Sequence, residues 1–411
     1  MTLFPLSLSE IFGHWGAYVV FLFIGIAFGY VLEIAGFGNS KLLAAQFYFK
    51  NMTVLKVMFT AIIVAMVLIF ASSAIGLLDY NLIWVNPTYL WPGIVGGLIM
   101  GFGFIIGGFC PGTSLVSAAT GKIDGIFFVL GVLFGIFLFG ETVDNFPVFW
   151  NSSYMGRYTI PEWLGLSTGT VVLLVVLMAL FMFWGGEKLE QAFGKKDPKS
   201  EPKWRYAAAG VLVLVAVIFL IVGQPTTEDK WARVEAEKEA LLTERAMQIH
   251  PGELLDTTHD TTIKTVMIDV REEVDFNLFH ILDARHVPLN EISNPDFISE
   301  LHFEPANTVF VLMSNDEAAA TEAWRILQAE SVPNAYILEG GVNGWIATFG
   351  DDDLTERYNS GAGDDQLCYI FDSALGSRYS AAEPDPHATE LEYVPKIKLE
   401  LKRAPTSGGC G

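Results

Sequence analysis

The chain has 411 residues, 52% of them hydrophobic, with 31 Phe and 39 Gly, which is more apolar material than a soluble core of this size can absorb. Residues 1–223 carry 11 basic and 11 acidic side chains; the remainder carries 14 and 35, so it holds the entire net charge of −21. The first part reads as a polytopic α-helical membrane domain and the second as an acidic soluble domain, a balance that argues against nucleic acid or anionic lipid surfaces as partners.

The opening MTLFPLSLSEIFGHWGAYVV has no basic n-region and no small-residue cleavage site, so the first apolar run is expected to remain in the chain. Runs long enough to cross ~30 Å of hydrocarbon fall at roughly 16–35, 54–78, 91–109, 124–143, 166–185 and 205–223, predicting six crossings. Two shorter apolar segments, roughly 40–49 and 112–120, follow glycine-rich breaks and read as half-helices or re-entrant turns. Lys41, Lys50, Lys56, Lys122, Lys188, Lys195, Lys196, Lys199, Lys203 and Arg205 lie in connections on one side of the bilayer, and only Arg157 lies on the other. Positive-inside bias then predicts that the N-terminus and the whole acidic C-terminal half are extracytoplasmic, periplasmic on an inner membrane. A half-helix that crossed fully would reverse this parity.

The two breaks repeat each other. FGYVLEIAGFGNS (28–40) superimposes on MGFGFIIGGFCPG (100–112), matching Gly36 to Gly108, Phe37 to Phe109, Gly38 to Cys110 and Asn39 to Pro111, and a lysine follows each copy twelve residues on: Lys50 after Gly38, Lys122 after Cys110. Glycine lets the chain leave helical dihedrals without a side-chain penalty, and Pro111 suits the first turn of a new helix. Backbone freed at membrane depth is tolerated only inside protein or along a polar cavity, and broken helices in paired repeats point to a transport site, where helix N-termini favour an anion. Cys110 stands at the start of the second short helix, where a thiol becomes a better nucleophile or S–H donor. The alternative is a kink that packs two helices closely around a small buried cysteine. Candidate lining groups are Gly36, Phe37, Gly38, Asn39 and Ser40 in the first copy and Phe109, Cys110, Pro111, Gly112 and Thr113 in the second. The hydroxyls of Ser40, Thr113, Ser114 and Ser117 serve equally as donors to an anion or as helix caps. Glu33 is an ionisable group within a span, readable as a path-side residue or as a helix-pairing one.

GGFCPGTSLVSAATGKIDG, in this helix-break-helix setting, resembles the YeeE/YedE membrane proteins over about residues 20–145. The resemblance implies uptake of thiosulfate or a related small sulfur-containing anion, handed on by S–H contacts at a pore constriction, with Cys110 inheriting the thiol role and Gly38 standing where a relay cysteine would fall. Members of that family contain four such units and this chain two, which implies a homodimer or pairing with a second half-size subunit.

Segment 228–248 is rich in helix formers with opposite charges at i,i+3 and i,i+4, predicting a helical stalk or linker over 225–249. From 263 onward short β-rich runs (KTVMIDV, TVFVLM, NAYILEG) alternate with helical ones, the pattern of a parallel α/β sheet. Asp269-Val270-Arg271, His280-Ile281, Val287-Pro288 and EGGVNGW (339–345) resemble a rhodanese domain over 250–350. In that family Asp and Arg brace the active-site frame and a cysteine after the central strand carries a persulfide. Here Met313 occupies the nucleophile's position, Ser314-Asn315-Asp316-Glu317 replaces the anion loop, and Phe279 and Asp283 replace glycines. A thioether cannot carry a persulfide, so a rhodanese-like scaffold without its nucleophile is expected.

The extension 351–411 ends in LKRAPTSGGCG, where Cys410 reads as a mobile sulfur carrier, as a disulfide partner of Cys368, or as inert. No histidine spacing suits a metal, and no cofactor is implied. The leading expectation for 1–224 is a permease for a thiosulfate-like anion passing Cys110, with an external domain that captures or delivers sulfur, working with lipid and with any sulfur-carrier partner. The alternatives are a membrane-anchored sulfurtransferase or relay using Cys410, and a redox or sulfide sensor using Cys368 and Cys410.

Overall fold

The structure is a computed structural model that describes residues 4–6, 8–83, 85–194, 203–350, 355–356, 365–388 and 391–399; Lys195, Lys196, Lys199 and Cys410 lie outside them. The chain divides into two compact units, Thr2–Gln224 and Pro225–Pro405.

Helices α1 (Leu8–Ile34), α2 (Ser40–Ala45), α3 (Thr53–Ala74), α4 (Leu90–Gly107), α5 (Pro111–Ala119), α6 (Ile123–Thr142), α7 (Pro147–Trp150), α8 (Ile160–Leu164), α9 (Thr168–Phe193) and α10 (Trp204–Val222) build the first unit. Among the described residues six helical stretches are long and apolar enough to cross a membrane: Ile11–Ile34, Thr53–Ala74, Leu90–Ala119, Ile123–Asn145, Thr168–Phe193 and Trp204–Val222. They fall where the six apolar runs predict. Gly13, at φ +70°, kinks α1 near its start. Helix α9 runs eight residues beyond the expected end at 185 because the charges there are satisfied. Glu190, buried, accepts from the Met52 N–H at 2.7 Å and from Lys56 Nζ at 2.8 Å, and Glu187 pairs with Arg205. Buried charges persist when paired and hydrogen-bonded. Val67 of α3, Val172 and Val176 of α9, and Ala216 and Phe219 of α10 pack together as one core.

The second unit contains α11 (Thr227–Thr243), α12 (Pro251–His259), α13 (Glu273–Leu278), α14 (Pro295–Phe303), α15 (Ala318–Ala329) and α16 (Gly341–Phe349), with strands β1 (Gln248–Ile249), β2 (Lys264–Asp269), β3 (Arg285–His286), β4 (Thr308–Met313), β5 (Ala335–Leu338), β6 (Thr355–Glu356) and β7 (Tyr369–Ile370). β1 to β5 form a parallel sheet in the order β1-β5-β4-β2-β3, the topology expected from the βα alternation. Every residue of central β4 is buried, as a strand covered by helices on both faces requires. Helix α11, in the segment expected as a stalk, lies on this sheet unit: Leu242 is in the core, Trp231 meets Trp324 edge-on, and Lys230 pairs with Glu330. An apolar stripe on a charged helix is buried where a neighbour offers a matching face. The C-terminal extension is also part of the unit. Ala381 and Ala382 are buried, Trp345 Nε1 donates to the Ala381 carbonyl at 2.7 Å, and Lys396 and Ile397 N–H groups donate to Glu253.

Candidate functional site

Both helix breaks open with a glycine in the left-handed region, but by different motifs. At the end of α1 the Phe37 N–H reaches the Leu32 carbonyl and the Gly36 N–H reaches Glu33, around Gly36 at φ +81°. This is a Schellman ending, and Leu32 packs against the apolar cluster that contains Phe37. At the end of α4 a single bond runs from the Gly108 N–H to the Phe104 carbonyl, with Gly108 at φ +71°. Phe37 and Phe109 then turn inward, each 1% exposed, and join Leu43 and Val54 in one cluster. The matching pairs of the repeat therefore meet in space. A Cβ on Gly108 would sit 3.2 Å from Ser40, so the second break is glycine partly because the first presses against it.

The copies diverge one residue later. Asn39 caps α2, its side chain accepting from the Lys41 N–H at 3.1 Å, whereas Cys110 caps α5. The sequence match aligned Asn39 with Pro111; the cap aligns it with Cys110, and Gly38 is the extra residue. At Cys110 the backbone N–H donates to Thr113 Oγ1 at 3.0 Å, the Thr113 hydroxyl returns to the Cys110 carbonyl at 3.1 Å, and Sγ lies 3.3 Å from the same oxygen. Pro111 occupies the first helical position, and Ser114 Oγ donates to its carbonyl. The thiol is half-buried and free, and Gly112 beside it is half-buried as well. Ser117 is fully buried against Gly125 of α6, and its hydroxyl has no hydrogen-bond partner among the described residues.

Two polar links tie the breaks together. Ser40 Oγ donates to Asp124 at 3.0 Å, and Lys122 Nζ donates to Glu33 at 3.4 Å, so Glu33 is helix-paired. Asp124 is absent from the candidates that the sequence offers, and Lys122 enters there as a marker of orientation and as the lysine that closes the second repeat. A carboxylate inside an apolar span needs a counter-ion, and that is the signal that could have joined Glu33 to Lys122.

In the second unit Asp269 and Arg271 form a buried pair: Arg271 Nε donates to Asp269 Oδ1 at 2.9 Å and Nη2 to Oδ2 at 2.6 Å. The guanidinium also reaches the Phe279 carbonyl and Asn315, bracing the loop after β4. Met313 and Ser314 are fully buried, Met313 in the apolar core and Ser314 donated to by the Ala320 N–H. The amides that follow are already occupied. Asp365, from the C-terminal extension, accepts from the Asp316 N–H at 2.7 Å and the Ala319 N–H at 2.9 Å, while Asp316 accepts from the Ala318 N–H at 2.7 Å. Burial pushes the Asp365 carboxyl above the usual range; the two amides oppose this and the facing Asp316 adds to it. A cleft of about 530 Å³ beside this loop is lined by Asp316, Glu317, Ala318, Thr321, Arg325 and Gly340, with Arg325 held by Glu239 and Glu322. Nothing in the sequence linked residue 365 to this loop. Cys368, three residues on, is half-buried and free, its N–H held by Asn343 at 2.8 Å.

A bundle of six apolar helices, two of them interrupted by repeated breaks, joined to a parallel sheet of rhodanese-like pattern, defines a multi-pass membrane protein with a rhodanese-like domain. Residues 35–243, half of the chain, match the Sulphur transport family, and residues 250–348 match the Rhodanese-like domain. The chain belongs to the Sulphur transport family. It is 26% identical over 214 residues to the thiosulfate transporter TsuA of Spirochaeta thermophila, a match covering 47% of this chain and 60% of that protein's length. Against the crystal structure of SSP1007 from Staphylococcus saprophyticus subsp. saprophyticus it is 24% identical, covering 26% of this chain and 97% of that one, with a TM-score of 0.20.

Proposed function

We propose that the membrane unit moves a small sulfur-containing anion, thiosulfate or a close analogue, past the thiol of Cys110. The observation that carries this reading is the meeting of the two breaks: Gly108 against Ser40, Phe37 and Phe109 in one cluster, and Cys110 capping the short helix that follows. Membership of the Sulphur transport family and the likeness to a thiosulfate transporter support the substrate class. In this reading Phe37 and Phe109 hold the two turns shut against water, Thr113 stands beside the thiol, and Asn39, Ser40 and the backbone of Gly112 are the further polar groups of the two breaks. The sulfur atom is the least hydrated part of thiosulfate, so an S–H donor in a narrow, poorly hydrated passage offers it a hydrogen bond that water would otherwise supply. Two copies, or this chain with a second half-size subunit, complete the passage.

In this reading the acidic unit lies outside the cytoplasm, which the basic loops of the bundle support by positive-inside bias, and it captures or delivers sulfur rather than transferring it by its own nucleophile. Met313 at the end of β4, and Asp365 filling the amides after it, both support that assignment. Uptake of labelled thiosulfate by cells lacking their own route tests the proposal: it is expected with the intact chain and lost with Cys110→Ser. Uptake that persists in the variant overturns the role given to the thiol.

A further inference from the structure

We infer that Arg157 forms an anion-binding site at the end of the bundle opposite the lysine-bearing connections, where it takes the sulfur oxyanion before it reaches the breaks. The site deepens the proposed function and rests on it for the identity of the anion.

The connections 75–89 and 143–167 contain one basic residue, Arg157, among Asp79, Asp144 and Glu162. Short backbone bonds bind the two connections into one layer: Thr88 N–H to the Gly156 carbonyl at 2.8 Å, Met155 N–H to Thr88 at 2.9 Å, and Leu90 N–H to Ser153 at 3.1 Å. Tyr89 and Tyr154 pair across this seam with ring centres 5.2 Å apart, and Phe4 adds bonds to Leu77 and Asp79. Arg157 thus projects from a fixed backbone. Its Cζ lies 4.8 Å above the ring of Tyr80, which itself packs on Phe70 of α3. Stacking on an aromatic face orients a guanidinium while leaving its in-plane donors unused.

Those donors are where the observation lies. Nε and Nη2 of Arg157 are both shut off from solvent, and neither has a hydrogen-bond partner among the described residues. A buried charged donor without an acceptor is costly and rare. Elsewhere the chain supplies a carboxylate to a shielded guanidinium: Glu187 to Arg205, Asp269 to Arg271. The acidic side chains near Arg157 are otherwise engaged where their bonds are defined, Asp79 capping the turn at Tyr80–Leu82 and Glu162 capping α8. Nε and one terminal nitrogen are the pair that grips two oxygens of a tetrahedral or planar oxyanion. An oxyanion from outside the chain would supply the acceptor that the described residues lack, and thiosulfate fits that description.

The test uses the full chain in proteoliposomes, with labelled thiosulfate uptake, and in detergent, with thiosulfate binding by titration calorimetry. Arg157→Gln is expected to raise the KM for uptake by about 10- to 100-fold, the loss of a charge-assisted pair, while the maximal rate stays within about twofold. Arg157→Lys, which keeps charge and stacking, should fall between and guards against a variant that fails to fold. Wild-type uptake with an unchanged KM in both variants overturns the inference and leaves the proposed function standing. Absence of uptake by the wild-type chain overturns the proposed function instead; the site is then judged by calorimetry, where binding weakened by Arg157→Gln supports it and equal binding overturns it. A phospholipid headgroup presents the same oxygens. If phosphatidylglycerol stabilises the wild type but not Arg157→Gln, with thiosulfate binding unchanged, the guanidinium belongs to lipid and the inference fails.

Discussion

Lys122 Nζ and Glu33 Oε1 approach to 3.4 Å directly over the α-carbon of Gly38, the residue between the first break and its cap. A Cβ at 38 would fall 2.9 Å from Lys122 Nζ and closer still to Glu33 Oε2, so glycine there leaves the room that the ion pair occupies. The pair links the end of α1 to the turn between α5 and α6, and so ties one repeat to the other.

Gly38→Ala should therefore separate Glu33 from Lys122. Both groups are about 40% exposed, so the pair is worth only ~0.5 kcal/mol, and that is the loss expected. The informative measurement is a double-mutant cycle with Glu33→Gln on the thermal stability of the solubilised chain. The second substitution should cost much less in the Gly38→Ala background than alone; full additivity would mean that Gly38 does not act through the pair.

Thr113 holds Cys110 by three contacts, to its N–H, its carbonyl and its sulfur. Thr113→Val removes them with little change in shape and should cost about 1 kcal/mol, the usual worth of a helix cap, and lower the rate of uptake. Thr113→Ser should restore both. A Val variant with wild-type uptake would show that the orientation of the thiol is set elsewhere.

Asp365 gives a pH dependence of defined sign. Its folded carboxyl sits above its ordinary value because of burial, so the folded state holds more protons than the unfolded state in the window above the ordinary value. Stability from this contact is greatest at low pH and falls as pH rises through the folded value. The thermal stability of the solubilised chain should fall as pH rises above the ordinary carboxylate range. Asp365→Asn should flatten that fall. Stability that instead increases with pH over that range, by an amount lost in Asp365→Asn, would contradict the direction of the shift.

Restoring a cysteine should not restore an enzyme. Met313→Cys puts a thiol at a position that is 0% exposed, beside amides already taken by the carboxylates of Asp365 and Asp316. Thiosulfate-to-cyanide sulfur transfer by the Met313→Cys chain should stay at background. Turnover well above background would show that an anion can displace Asp365.

What the sequence disclosed follows the length scale of the physics. A span needs about 20 apolar residues in a row, so the six crossings could be read directly; the end of α9 was missed because Glu187 and Glu190 look like a stop until Arg205, Lys56 and the Met52 amide are seen to satisfy them. The paired breaks were legible because Gly36-Phe37 and Gly108-Phe109 use the same local chemistry. The shift of the cap from Gly38 to Asn39 was not, since one inserted glycine leaves the pattern of residue types intact. The brace of Asp269 and Arg271 is a local motif and could be recognised, and both residues are buried in one ion pair. Asp365 lies 49 residues from the amide it binds, and a carboxylate in a polar stretch carries no mark of its distant partner. The unpaired nitrogens of Arg157 are a property of packing alone.

Cys110→Ser removes the sulfur proposed to pass the anion with little other disturbance, because serine is a favoured helix cap and can keep the Thr113 contacts. The measurement is the initial rate of labelled thiosulfate entry into proteoliposomes holding equal amounts of folded wild-type and Cys110→Ser chain. Entry is expected with the wild type, and a rate at the protein-free background with the variant. Equal rates for the two would contradict the role given to the thiol.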